Sequence, residues 1–374
     1  MTVCARAGSL LMILLPAVLA WPARAADDEW LLFRGNPLQT GVAETTLPDQ
    51  LEILWTFKAK DSIESAPAVA RGVVYVGEMQ DHLYALDLVT GKEKWRYRTG
   101  KDAGFKASPS VKGDTVFIGD TDGLFHAIDA AKGTKRWTFE TGAEISSGAN
   151  FHGERILFGS GDESLYCLTK EGKLSWKFKV PGGPVMATPA IYDGKTFVAG
   201  CDSNLHVIDL KNGLELVAIE LAGQVGATAA VIKDHVYVGT MVHEVQAVDL
   251  KNAKVEWTFS PERGGQKFAA SIAATEKFII AASHDKRVYG LDRESGLLKW
   301  SFLTRGRIES SPVVVGQRVY VGSGDKNFYV LHLTTGEVIQ KLELDDEVTG
   351  SPAVVGKRVL IGTRSGMLYC LGAK

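Results

Sequence analysis

Ser65-Ala66-Pro67-Ala68-Val69, Val74-Tyr75-Val76-Gly77, Leu83-Tyr84-Ala85-Leu86-Asp87 and then Thr90-Gly91 and Trp95 make up one unit that recurs to the C-terminus. Each copy opens on small residues and Pro, runs through an apolar stretch ending in Gly and an aromatic-rich stretch ending in Asp, and closes on Thr-Gly and Trp. With the Trp position as ruler, the copies fall at Trp55, Trp95, Trp137, Trp176, Val217, Trp257, Trp300 and Gln340, in steps of 40, 42, 39, 41, 40, 43 and 40 residues. Short apolar runs alternate with period two, as in Val319-Tyr320-Val321-Gly322, and no window carries a helical stripe. Such a period with four short strands per unit predicts the blade of a β-propeller.

The last copy stops at Leu368-Tyr369-Cys370-Leu371, before its Trp strand, while Leu51 to Phe57 has the sequence of an outer strand with no blade before it. Joining the two completes an eighth blade and closes the ring, leaving only short outer edges to protect. The expected fold is all-β: an eight-bladed propeller of four-stranded antiparallel blades over 51–374, closed by an N-terminal strand.

Within a blade, small residues suit strand A because eight inner strands converge on the axis. Trp on strand D fills the widening wedge between blades. Asp and Thr-Gly suit a tight turn, with Gly at positive φ and Asp accepting backbone amides. Trp55, Trp95, Trp137, Trp176, Trp257 and Trp300, with Asp87, Asp129, Asp249 and Asp292, are therefore read as structural docking residues. The run from Ala85 to Trp95 resembles the Ala-x-Asp-x-x-Thr-Gly-Lys-x-x-Trp docking motif of the pyrroloquinoline quinone (PQQ) propeller family, and the eight-residue Asp-to-Trp interval recurs at Asp129, Asp249 and Asp292. Degenerate copies put Thr169 for Asp, Val217 for Trp, and His332 with Gln340 for both. The resemblance argues against a WD-type propeller, since no Trp is followed by Asp.

Residues 1–25 carry Arg6, an apolar run from Leu10 to Leu15, and Ala23-Arg24-Ala25, which reads as a signal peptide cleaved near Ala25. The run is too short and too broken by Pro16 and Pro22 to span a membrane, and no Cys stands where a lipid anchor would need one. Residues 26–50 form a lead-in with Trp30-Leu31-Leu32-Phe33-Arg34-Gly35, read as packing on the propeller through Trp30 and Phe33. Loss of Arg6 and Arg24 takes Lys plus Arg from 42 to 40 against 44 acids, so the formal charge moves from -2 to -4. That balance offers no basic field for nucleic acid. Cys167, Cys201 and Cys370 remain, expected as free thiols.

The resemblance implies two kinds of protein. Quinoprotein alcohol dehydrogenases of this fold hold PQQ and calcium under an adjacent Cys-Cys disulfide; BamB-type members are partner-binding subunits in outer-membrane assembly. No two Cys are adjacent here, and Asp162, Asp202, Asp285 and Asp325 recur in successive hairpins as turn residues. No catalytic residue, cofactor site or metal ligand is therefore expected. The expectation is an exported, monomeric, non-catalytic scaffold, periplasmic or secreted, that binds an envelope protein or exported polypeptide and has no membrane anchor. A PQQ- and calcium-dependent oxidoreductase, or a periplasmic substrate-binding enzyme component, is the alternative. The D-A connectors are longest from Trp95 to Pro109 and from Trp257 to Ser271, 14 residues each. Their Phe105 with Lys106, and Lys267 with Phe268, are the candidate partner-binding residues, on the face of the D-A and B-C loops.

Overall fold

The computed structural model describes residues 1, 28–100, 102–262 and 265–374; apart from Met1, the leader read at 1–25 lies outside the described residues. Eight antiparallel sheets form a ring. Blade 1 comprises Ala68–Ala70, Val73–Gly77, His82–Asp87 and Glu93–Arg98, strands A to D from the axis outward. Blades 2 to 7 repeat that order. Blade 8 takes Ala353–Val355, Arg358–Gly362 and Met367–Gly372 from the C-terminus and Glu52–Lys58 from the N-terminal side, with Trp55 opposite Cys370. The ring is thus closed by the N-terminal strand. Among the described residues no helix is long and apolar enough to cross a membrane.

Strand A of blade 3 starts at Asn150 and of blade 6 at Ala273. The Pro position of those blades is therefore Ala149 and Ile272, which in blade 6 lies one residue beyond Ser271 as read from the sequence. With this register the residue before it becomes a belt around the axis. Ser108, Thr188, Thr228, Ser271, Ser311 and Ser351 each accept, through the side-chain hydroxyl, the amide of the matching residue one blade back, at 2.9–3.1 Å in the bonds from Thr188 and Thr228. The belt lacks an acceptor only where Ala66 and Gly148 stand, residues without a hydroxyl.

The tryptophans seal the seams between blades. Each D strand carries a β-bulge just before its Trp, which turns the ring towards the following blade. Trp55 Nε1 donates to Leu88 O at 3.0 Å, Trp95 to Ala130 O at 3.1 Å, and Trp300 to Leu333 O at 2.8 Å; Trp137, Trp176 and Trp257 repeat the contact. The acceptor in each case follows the Asp position of the next C-D turn. The ring lies on that turn's Gly, where a Cβ on Gly91 or Gly133 would sit 2.6 Å from Trp55 or Trp95. The turn Asp closes the loop from inside, as Asp87 accepts Val89 N and Thr90 N at 3.1 and 3.0 Å.

Residues 30–43 cross the axis and cap the inner edge strands, whose amides have no partner within the blade. The middle residue of strand A donates to this segment in blades 1, 2, 4, 5, 6 and 7: Val69 to Trp30 O, Val111 to Leu31 O, Ile191 to Pro37 O, Val231 to Leu38 O, Ala274 to Thr40 O and Val314 to Gly41 O, all at 2.8–2.9 Å. In blade 3 Asn150 reaches Pro37 O with its side-chain amide at 2.8 Å. Val42–Ala43 then pairs in parallel with Val313–Val315. The lead-in residues have individual jobs. Trp30 is buried against Gly35 (φ +84°), and buried Arg34 donates to the carbonyls of Ile272, Ser311 and Pro312 at 3.0, 3.1 and 2.6 Å. The packing role read for Trp30 holds; Phe33 is half-buried and lines the channel.

Candidate functional site

Phe105 and Phe268 are 0% exposed, which overturns their reading as partner-binding residues. Phe105 N donates to Glu78 O and its ring meets His126 edge-on at 5.6 Å; Phe268 N donates to Thr240 O and its ring meets Tyr289 at 5.9 Å. They belong to a ring of buried apolar residues, Ile63, Phe105, Ile145, Val185, Val225, Phe268, Ile308 and Val348, each four residues before the Pro position. Each packs where strand B ends: a Cβ on Gly77 or Gly239 would lie 2.5 or 2.6 Å from the Cβ of Phe105 or Phe268. The four-residue spacing is a feature of the sequence in every blade, whereas connector length carries no information on which way a side chain points. Lys106 is exposed at the channel mouth and Lys267 is half-buried, so the structure does not bring the four together as an apolar binding patch.

The hairpin aspartates are committed within their own blades. Tyr166, Tyr289 and Tyr329 donate their hydroxyls to Asp162, Asp285 and Asp325 at 2.5, 2.5 and 2.8 Å, and His206 Nε2 meets Asp202 at 2.9 Å. The spacing Asp-x-x-x-Tyr/His is the signal, since four residues around a hairpin return the side chain to its own turn. Burial raises the pKa of Asp162, but the Tyr166 hydroxyl and the Gly142 amide outweigh it and hold the carboxyl below its ordinary value. The same burial drives the tyrosines up, and Tyr289 and Tyr329 rise beyond the usual phenol range. Cys167, Cys201 and Cys370 are free. Burial pushes the thiols of Cys167 and Cys370 up to about 11 and about 12, which removes them from nucleophilic chemistry.

The irregular place in the ring is the seam between blades 4 and 5. Val217 stands where six of the other seams carry Trp, and the next turn has Ala253 at φ +52° where the docked turns carry Gly. Opposite Val217 on strand C stands Val207, where Trp-bearing blades place Ala, Cys or Gly. What remains is a cleft of about 240 Å³ lined by Tyr192, Phe197, Val207, Leu216, Val217 and Leu250, with Asp193, Lys195, Asp234 and Lys251 at its rim. Beside it Leu214 and Leu216 are 63% and 52% exposed. A larger cleft of about 660 Å³ lies between the lead-in and strands A of blades 4 to 6; it shares Tyr192 with the seam cleft and is lined by Trp30, Leu38, Val42 and Ile232 with Glu29, Glu44 and Glu276. Both open on the face of the A-B and C-D turns, opposite to the face expected from connector length.

The geometry defines a PQQ-like β-propeller resembling BamB, with tryptophan-docked blades and an apolar surface at one undocked seam. The chain belongs to the family described as the beta-propeller of the beta-alanine-activating enzyme, which matches residues 102–373. A second family, described as outer membrane protein assembly factor BamB, matches residues 48–149. The beta-alanine-activating enzyme of Mus musculus is 31% identical over 104 residues, covering 26% of this chain and 9% of that protein. The human protein is 29% identical over a match of the same extent, so the chain covers less than a tenth of the curated relatives it matches. Among solved structures, BamB from Moraxella catarrhalis superposes with a TM-score of 0.74 at 18% identity, covering 87% of this chain and 98% of that one. Quinohemoprotein alcohol dehydrogenase from Comamonas testosteroni superposes with a TM-score of 0.78 at 14% identity, covering 93% and 81%. At these identities the likeness is one of fold.

Proposed function

We propose that the protein is a non-catalytic, exported scaffold of the cell envelope, which holds another polypeptide on the blade 4–5 face in the manner suggested by the BamB likeness. The observation that carries this reading is the undocked seam, an apolar cleft set in a rigid ring beside exposed Leu214 and Leu216. Apolar side chains of a partner buried in such a cleft are the kind of contact that dominates binding energy, at about 2 kcal/mol or more each. The quinoprotein alternative lacks the adjacent cysteines that the family resemblance implies, and the hairpin carboxylates that calcium would need are bonded to Tyr, His and backbone amides within their own blades. Both features support the scaffold reading over a quinone site with calcium.

The test is capture of envelope and exported proteins by the purified chain, compared with the triple variant Val217→Trp with Ala253→Gly and Val207→Ala, which refills the cleft. Wild-type capture lost in the variant supports the reading, and equal capture by both counts against this face. Titration with PQQ and calcium addresses the alternative. No co-eluting quinone absorbance is expected, and its appearance would overturn the non-catalytic reading.

A further inference from the structure

Among the described residues one group of three metal-competent side chains converges, and it lies in the B-C hairpin of blade 1: Glu78, Asp81 and His82. Glu78 and Asp81 are fully buried and His82 nearly so. One oxygen of each carboxylate and the His82 Nδ1 lie within 4.8 Å of one another. Nδ1 is 3.3 Å from Glu78 Oε1 and also in close contact with Asp81 Oδ1. Asp81 Oδ1 is buried and accepts no hydrogen bond; besides the histidine its neighbour is the Lys60 ammonium, 4.0 Å away.

The other hairpins hold nothing comparable. The position of Asp81 is taken elsewhere by Gly123, Glu163, Ser203, His243, Lys286, Lys326 and Gly366, all with positive φ, a conformation Asp81 does not adopt. Glu78 does serve the turn, accepting Asp81 N and His82 N on Oε1 and Gln80 N on Oε2. Arg98 grips Asp81 Oδ2 from outside, which orients the carboxylate and leaves Oδ1 facing the histidine. The long Trp95 to Pro109 connector covers this hairpin, with Phe105 N on Glu78 O at 2.8 Å and Thr99 N on Asp81 O at 3.2 Å.

We propose that Glu78 Oε1, Asp81 Oδ1 and His82 Nδ1 form a structural site for one first-row divalent transition ion, zinc being the probe of choice. One imidazole and two carboxylates are a borderline donor set suited to zinc and its neighbours, whereas calcium and magnesium prefer oxygen throughout. Zinc bonds of about 2.1 Å set tetrahedral ligand atoms roughly 3.4 Å apart, so the Glu78–His82 pair already has the spacing and the close His82–Asp81 contact opens on binding. Arg98 and Lys60 oppose the ion by charge: both sit on Asp81, are at least half exposed, and set the affinity below that of a site without them.

The experiment is equilibrium dialysis of the full chain against zinc, with cobalt absorbance reporting the donor set. One zinc per chain is expected, with Asp81→Asn weakening it by about ten-fold or more. Arg98→Gln, a change at an exposed side chain, is expected to tighten zinc several-fold by removing the opposing charge. His206→Gln is expected to leave binding unchanged, because His206 meets Asp202 and Glu215 through different ring nitrogens and cannot chelate with both. Absence of bound zinc, or binding that Asp81→Asn does not weaken, overturns the site. Should Asp81→Asn fail to fold, the Arg98 variant decides: tighter binding supports the site, and unchanged or weaker binding assigns the group to a plain ion network.

Discussion

The seam between blades 3 and 4 and the seam between blades 4 and 5 are built on the same backbone and differ in three side chains. At the first, Trp176 lies opposite Cys167, covers Gly213 (φ +75°) and donates to Leu210 O at 3.1 Å. At the second, Val217 lies opposite Val207 and the turn carries Ala253. The glycine and the small strand C residue are where the indole needs room; once the indole is gone, both positions accept a side chain. Gln340 makes the same point differently. Blade 8 has no C-D turn for a Trp to cover, and Gln340 instead exchanges two hydrogen bonds with the backbone of Leu51, at 2.9 and 2.8 Å, where the closing strand begins. A missing Trp therefore marks either an opening in the wall or the latch of the ring.

The largest effect is expected from removing the latch. Deleting Glu52–Lys58 exposes the edge of Met367–Gly372, and size-exclusion chromatography should give aggregates or larger species than the intact chain gives. An unchanged size with unchanged melting temperature would mean the ring does not depend on this strand. Next comes Trp95→Val, which turns a sealed seam into a copy of the open one. Loss of the half-buried indole should cost about 2 kcal/mol in denaturant unfolding, and a cost under about 1 kcal/mol would show that the seam carries little stability.

Repair of the open seam is a smaller and sharper test. Val217→Trp alone should gain nothing, because the Cβ of Ala253 occupies the plane where the ring would lie. In a Val207→Ala background, which clears the strand C position, and together with Ala253→Gly it should stabilise by about 1 kcal/mol despite the backbone freedom the glycine adds. Additivity of the two substitutions in a double-mutant cycle would break the argument that the indole and glycine act as a unit.

The smallest effect concerns pH. Asp87, Asp249 and Asp292 in the C-D turns sit below the ordinary carboxylate value, led by bonds from the Thr90 amide, the Asn252 side chain and the Ser295 hydroxyl respectively. Asp129 is lowered first by Arg136 and then by the Lys132 amide. A depressed folded-state value gives stability that is complete above the unfolded pKa of about 3.9 and is lost as pH falls through the folded value. The melting temperature should be flat with respect to these groups from pH 7 to about 5 and decline below about 4. Asp129→Asn should flatten the decline slightly, since solvent screens so exposed a group; a decline centred near neutrality would place the titrating group elsewhere.

The period, the blade count, ring closure and the docking residues were legible because each is local or repeats: a strand alternates every second residue, a turn needs its Asp and Gly within four positions, and an orphan strand pairs with a missing one. The Asp-x-x-x-Tyr/His pairs and the apolar residue four before each Pro were equally local and could have been read. The sequence by itself determined that Phe105 and Phe268 sit in long connectors; only the tertiary structure decided that they point inward, since the end of strand B across the blade offers a glycine where their Cβ atoms fit. It likewise determined that Val217 replaces a Trp, while the cleft it leaves depends on Phe197, Leu250 and Tyr192 meeting across two blades. The path of Trp30 to Ala43 over the inner edges of six blades, and the convergence of Glu78, Asp81 and His82, are decided in three dimensions, because the partners are backbone amides and a grip from Arg98 that no sequence spacing specifies.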